Sequence, residues 1–357
     1  MLAVTGASDS IVAVWDLRPG TERIGRAYHQ HHAGVTKVAM DSAGRVVASA
    51  TTEGEVFIWR LAPLDSSPVA ETVRTLPVWG KVRALALSLD GKHVLTAGDS
   101  GIRVCETRTL MCWTSFLREG AERVKWLWAA TFSPQLNYVL AVSLDGEVRI
   151  WDIEGNEISD RMTSDNGVSF AVFDPSGDWF YTAGGDKIVR RWRAASKSGS
   201  PERIYAGHGS SITALALSPD GSYLYSASDD GTAKVWRAAS GELVSTVIIG
   251  GQPVGKDLGW TVVAPDGRFD SNALDEEENG LYWIMADDPM RPLPIEIFTR
   301  SHYEPNLLGR LLTGHAGAPL PDLRTLDRVQ PDVAFDTVTE AGEPGIVKVS
   351  VSVGAQR

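Results

Sequence analysis

Apolar and polar residues alternate at period two in short runs along most of the chain, and the runs come in sets. GVTKVAM, KVRALALS, WAATFSP, SFAVFDP and ITALALSP each open a set, and each has the length of one strand with one buried face. Turns follow at Ser42-Ala43-Gly44, Leu89-Asp90-Gly91, Pro175-Ser176-Gly177 and Pro219-Asp220-Gly221. Proline presets the first turn dihedral there, and glycine accepts the positive φ that closes a hairpin. Second strands come next (VVASA, HVLTAG, YVLAVS, WFYTAG, YLYSAS), then an acidic turn, a third strand closing on tryptophan, and a more polar fourth strand such as ERIYAGH. The pattern predicts an all-β chain of four-stranded antiparallel units.

The tryptophans set the period. Trp15 closes SDSIVAVWD, Trp59 closes TEGEVFIWR, Trp151 closes LDGEVRIWD, Trp192 closes GDKIVRRWR and Trp236 closes DDGTAKVWR, with Cys105 in the same slot of GDSGIRVCET. Successive spacings of 44, 46, 46, 41 and 44 residues match the period of a propeller blade.

Polar residues recur at fixed offsets from these tryptophans. Six residues before them stand Asp9, Glu53, Asp145, Asp186 and Asp230, with Asp99 before Cys105; four residues earlier again stand Thr5, Ser49, Thr182 and Ser226. His31 and His208 precede the first strand in two units. Such a set can form a buried chain of hydrogen bonds, indole to hydroxyl to imidazole to carboxylate, so that each buried polar group has a partner. On these residues the chain resembles the WD-repeat β-propellers. The fullest copy is Gly207-His208, Ser226, Asp230 and Trp236; His31, Ser49, Glu53 and Trp59 form a second, with Glu for Asp. The resemblance implies that these side chains hold the blades together.

The repeats predict a seven-bladed propeller over residues 1–299. Its first blade lacks an innermost strand at the N-terminus: either the C-terminal IVKVSVSV or DVAFDTV supplies it, or the blade stays incomplete, or the chain is a fragment. The seventh is degenerate and spans 258–299, with a Pro265-Asp266-Gly267 turn and with Trp283 in the closing slot. Residues 300–357 read as an extension: a short helix in RSHYEPNLLGRLLTG, a proline-spaced linker and a strand in GIVKVSVSV. GWTVVAPDGRFDSN followed by FTRSHYEPNLLGRLLTG resembles the C-terminal boundary of bacterial WD-repeat proteins that continue into an immunoglobulin-like segment and a caspase-like protease domain. That resemblance implies an attached caspase-like effector beyond Arg357.

A net charge of −11 with no Lys/Arg cluster argues against nucleic acid or an anionic membrane as the main partner. The acidic run Asp275 to Glu278 lacks calcium-loop spacing and reads as a solvated loop. Two cysteines seven residues apart make neither a disulfide framework nor a metal spacing, and read as reduced packing residues of a cytoplasmic protein. No apolar run reaches the length of a membrane span.

No nucleophile elbow, phosphate loop or cofactor motif is present. His29-Gln30-His31-His32 has no carboxylate or thiolate partner at metal spacing, and His315 reads as a surface residue. The candidate binding residues are aromatic: Trp79 and Trp126 in the loops leading into two first strands, and Trp128 at the start of the second of these, on one rim of a propeller. The expectation is a noncatalytic scaffold that captures protein partners on that rim, as a sensor or recruitment module of a bacterial multidomain protein. The alternative is a propeller enzyme or small-ligand binder that uses the central channel.

Overall fold

The computed structural model describes residues 2–17, 23–28, 31–51, 53–61, 73–77, 80–98, 101–115, 127–158, 162–163, 167–196, 199–249, 259–272, 282–285, 288–294, 299–315, 320, 331–340 and 347–355. They form two compact units, Met1–Glu242 and Leu243–Arg357, divided well before the boundary at 299 that the repeat pattern suggests.

The first unit is a succession of small antiparallel sheets. The first holds three strands, β1 (Leu2–Gly6), β2 (Val12–Asp16) and β3 (Arg23–Tyr28). Four complete sheets follow. The second is β4 (Val35–Met40), β5 (Val46–Thr51), β6 (Glu55–Arg60) and β7 (Val73–Pro77), and the third β8 (Val82–Leu87), β9 (His93–Gly98), β10 (Gly101–Glu106) and β11 (Cys112–Ser115). The fourth is β12 (Leu127–Phe132), β13 (Tyr138–Ser143), β14 (Glu147–Asp152) and β15 (Met162–Thr163), and the fifth β16 (Val168–Phe173), β17 (Trp179–Gly184), β18 (Ile188–Arg193) and β19 (Arg203–Ala206). The sixth set places β20 (Ile212–Leu217), β21 (Tyr223–Ser228) and β22 (Thr232–Arg237) in this unit.

The predicted turns form as read. Gly44, Gly91, Gly177 and Gly221 take φ of 65, 68, 72 and 72°, which only glycine adopts without strain. The second strands are deeply buried, because their apolar residues lie between neighbouring sheets: Ala48, Leu95, Leu140, Phe180 and Leu224 are inaccessible to solvent. One core layer runs from Leu95, Ile102 and Val104 to Phe132, Val139 and Trp151, joining the third sheet to the fourth; the next joins Leu140, Val148 and Ile150 to Phe180 and Trp192. Burying apolar surface between sheets, at about 25 cal/mol per Å², is the main force that stacks them.

The first strands of sheets two to six, β4, β8, β12, β16 and β20, each carry a β-bulge at the second residue, Thr36, Arg83, Trp128, Ser169 and Thr213. The residue before each bulge is buried (Val35, Val82, Leu127, Val168, Ile212). The extra residue has no opposite number on the neighbouring strand and so stands outside the ladder.

Blade three corrects the reading of the cysteines. Register places Cys105 opposite Cys112 across β10 and β11, and the two form a disulfide. They are therefore not reduced thiols: the five-residue connection folds the second back onto the first. Cys105 is fully buried in the tryptophan slot.

In the second unit β23 (Leu243–Ile249), β24 (Trp260–Val263) and β25 (Phe269–Ser271) form one antiparallel ladder. A separate hairpin joins β26 (Tyr282–Met285) to β27 (Asp288–Pro294). The expected seventh blade is thus two pieces rather than one four-stranded sheet among the described residues, and β24 pairs back onto β23 instead of opening a new sheet. The Trp283 ring meets Phe269 edge-on at 5.9 Å, and Tyr303 flanks the Phe269 ring at 5.8 Å. The single predicted helix is two, α1 (Thr299–His302) and α2 (Leu307–Leu312). β28 (Pro331–Glu340) and β29 (Val347–Ala355) pair with each other, so among the described residues neither completes the first sheet. Asp99, the acidic run at 275–278 and His29 lie outside the described residues.

Candidate functional site

Sheet six carries the complete interior network. Ser226 Oγ accepts the Trp236 indole N–H at 2.9 Å, so its own proton goes to His208 Nε2 at 2.8 Å. The imidazole proton is left on Nδ1 and donates to Asp230 Oδ2 at 3.0 Å. Asp230 also accepts from the Gly209 and Thr232 N–H groups at 2.7 and 2.9 Å and from the Thr232 hydroxyl at 2.7 Å. Burial opposes its charge, but the hydrogen bonds from Thr232, Gly209 and His208 outweigh burial and hold its carboxyl well below the usual carboxylate range.

Ser226, His208 and Asp230 are in the order of a nucleophilic triad. They cannot act as one, because Ser226 is 1% exposed and its oxygen is engaged on both sides by the indole and the imidazole. The arrangement joins β21, β22, the turn between them and the loop before β20.

Sheet two builds the same chain with a different acid. Trp59 donates to Ser49 at 2.9 Å and Ser49 reaches His31 Nε2 at 2.8 Å. The acid facing His31 is Glu55, not Glu53, which is exposed in its turn. Glu55 stands four residues before Trp59, the place Thr232 holds before Trp236, so a longer side chain on the strand replaces a short one in the turn. The replacement is imperfect: His31 Nδ1 is 3.5 Å from Glu55 Oε2, beyond a good hydrogen bond. Glu55 spends its strong contacts on His32, at 2.9 Å from the backbone N–H and 2.7 Å from Nδ1. Burial lowers the His31 pKa, and Glu55 only partly counters it.

Two other sheets keep the first link alone, Trp15 to Thr5 and Trp192 to Thr182, both at 2.8 Å. There the turn acids act locally: Asp9 and Asp186 accept the N–H two residues on.

Of the rim aromatics, Trp79 and Trp126 lie outside the described residues. Trp128 is the bulged residue of β12, 38% exposed, and the Arg83 guanidinium, on the corresponding bulge of β8, lies 5.9 Å from its ring centroid. The bulge recurs at one offset in the first strands of sheets two to six, yet alternation alone does not reveal it, so Arg83 was not singled out from the sequence. Among the described residues no group of three or more His, Cys, Asp or Glu side chains is placed to hold a metal ion. No described helix is long and apolar enough to cross a membrane.

Three relatives share part of this pattern. The U3 small nucleolar RNA-associated protein 21 homolog of Schizosaccharomyces pombe is 23% identical over 189 residues, 51% of this chain and 19% of that protein. Nuclear distribution protein PAC1-2 of Uncinocarpus reesii is 24% identical over 214 residues, 52% of this chain and 45% of that protein. Protein Atg16l2 of Homo sapiens is 32% identical over 90 residues, 25% of this chain and 14% of that protein. The chain covers less than half the length of each. The family profile described as WD domain, G-beta repeat matches residues 23–60, 70–106, 119–152, 160–193 and 199–237, about half the chain. Those segments hold sheets two to five and the three strands of sheet six, with the indole-to-hydroxyl links of sheets two, five and six, and on this match the chain belongs to the WD40 repeat family.

Proposed function

We propose that the chain is a noncatalytic protein-interaction scaffold whose partners dock on the surface formed by the inner-strand bulges. The observation that carries this reading is the division of labour among side chains. In sheet six the repeat's histidine, hydroxyl and acid are engaged in holding strands together, whereas Trp128 and Arg83 stand outside the ladder with an indole and a cation near the surface. Tryptophan and arginine are the residues most enriched at the energetic centres of interfaces. That relatives are named for nuclear distribution and for a small nucleolar RNA-associated complex is consistent with a scaffold.

Trp79 and Trp126 belong to the same proposed surface, as does closure of the repeats into a seven-bladed ring. Protein rather than nucleic acid is the partner on the ground of the −11 net charge. A bacterial sensor role with a caspase-like effector completes the proposal; the reading frame after codon 357 tests the effector.

The docking surface is tested by partner capture with Trp128→Ala and Arg83→Ala combined. Both positions lie outside the strand ladder, so the doubly substituted chain should keep its melting temperature within a few degrees and lose its partners. Partners retained at wild-type yield by the folded variant would overturn the reading.

A further inference from the structure

A cavity of about 460 Å³ opens on the second unit, lined by Val247, Ile249, Trp260, Val262, Leu308, Asn306 and Asp270. The strand register builds it. Val247 faces Val262, and Ile249 faces Trp260, across β23 and β24, while Val262 faces Asp270 across β24 and β25, so one sheet face carries four large apolar side chains and one carboxylate. Leu308 of α2 covers the face from above, beside the Val262, Ala264 and Leu307 core.

Asp270 is the anomaly. It is 6% exposed, in an otherwise apolar wall. One oxygen, Oδ2, accepts the Asn306 N–H at 2.8 Å, and no other hydrogen bond or ion pair involves this carboxylate among the described residues. The nearby cations are already matched: Arg268 is held by Asp266 at 2.7 Å and Glu304 at 3.1 Å, and Arg310 by Glu304 at 2.6 Å. A buried carboxylate without a cation is costly, and its usual remedy is an opposite charge. The Trp260 ring, 36% exposed on the same wall, adds a face that attracts cations.

The geometry points to a binding site for an ammonium group carried on an apolar body. The charged nitrogen would sit on the free Asp270 oxygen and the apolar part against Ile249, Trp260, Val262 and Leu308. The volume fits a small arylalkylamine, or a lysine side chain with its apolar neighbours in a partner peptide. The site lies wholly in the second unit and stands independently of the docking surface on the bulges.

Calorimetric titration of the full chain at pH 7 tests it with three probes of one shape: tryptamine, neutral 3-propylindole and anionic indole-3-propionate. Tryptamine should bind at least ten-fold more tightly than 3-propylindole, and indole-3-propionate should not bind. Asp270→Asn keeps an acceptor for the Asn306 N–H and should remove the preference for tryptamine while leaving 3-propylindole unchanged. Ile249→Arg, at a position 59% exposed, places a tethered cation at the mouth and should weaken tryptamine ten-fold or more even if Asp270→Asn fails to fold. A terminally blocked Ala-Leu-Lys-Leu-Ala peptide that binds more tightly than tryptamine would assign the ammonium to a protein partner; the reverse order would assign it to a free amine. Equal binding of tryptamine and 3-propylindole, binding of neither tryptamine nor the peptide, or tryptamine affinity unchanged in both variants overturns the inference.

Discussion

Sheets two and six begin from the same three side chains, His, Ser and Trp, and end differently. In sheet six a short acid in the turn meets the imidazole at 3.0 Å and gathers three more donors. In sheet two a longer acid on the strand stops 3.5 Å short and turns its oxygens to the exposed His32. The contrast teaches that the last link of the chain depends on reach rather than on charge. A carboxylate preordered by its own turn loses little freedom in meeting the histidine, whereas a strand glutamate must hold one more torsion and has a second suitor, His32.

The largest expected effect removes the contrast. Trp236→Ala and Trp59→Ala should each cost about 3–5 kcal/mol in urea unfolding, because both indoles are buried and their volume outweighs any difference in the acid. Markedly unequal losses would mean that the networks, not packing, set blade stability. A middle-sized effect exposes the contrast: Asp230→Ala should cost about 1–3 kcal/mol, since it strands the buried His208 proton and the Gly209 and Thr232 donors, while Glu55→Ala should cost under about 1 kcal/mol. Equal costs would show that the 3.5 Å contact is a real link.

The smallest effect is the pH dependence, which separates the two sheets by window. Both groups have pKa values below their ordinary ones, His31 through burial and Asp230 because its hydrogen bonds overcome burial. Each therefore adds stability that is full above the unfolded-state pKa and declines as pH falls below it, because there the unfolded chain binds the proton first. For His31 the decline begins near pH ~6.5 and for Asp230 near ~4. Denaturation of His31→Gln across pH 7 to 5 should show a shallower slope than the parent, whereas Asp230→Asn should match the parent slope in that range. A His31→Gln slope identical to the parent's would mean that His31 has no part in it.

The period of the tryptophans, the glycine turns and the sheet-six network were all readable in the sequence, because each depends on residues at fixed local spacing. Glu55 was not, since only the side chain's path shows that a strand residue rather than Glu53 reaches His31. The disulfide was hidden for a related reason: Cys105 and Cys112 look unrelated until register sets them opposite. The seventh repeat keeps its Pro-Asp-Gly turn and Trp283, but among the described residues its short second strand, Phe269–Ser271, pairs with β24 and meets Trp283 through the Phe269 ring. Asp270 drew no notice because a single aspartate in a strand has no motif; only burial and a missing partner mark it.

The repeated bulge has an evolutionary corollary. At Thr36, Arg83, Trp128, Ser169 and Thr213 the residue stands outside the register of its strand pair, so a change of side chain there removes no ladder partner, although the Thr36 hydroxyl also bonds the Ala50 carbonyl. A gene can therefore rewrite what one blade displays without disturbing its neighbours, and a single scaffold can be retargeted one letter at a time.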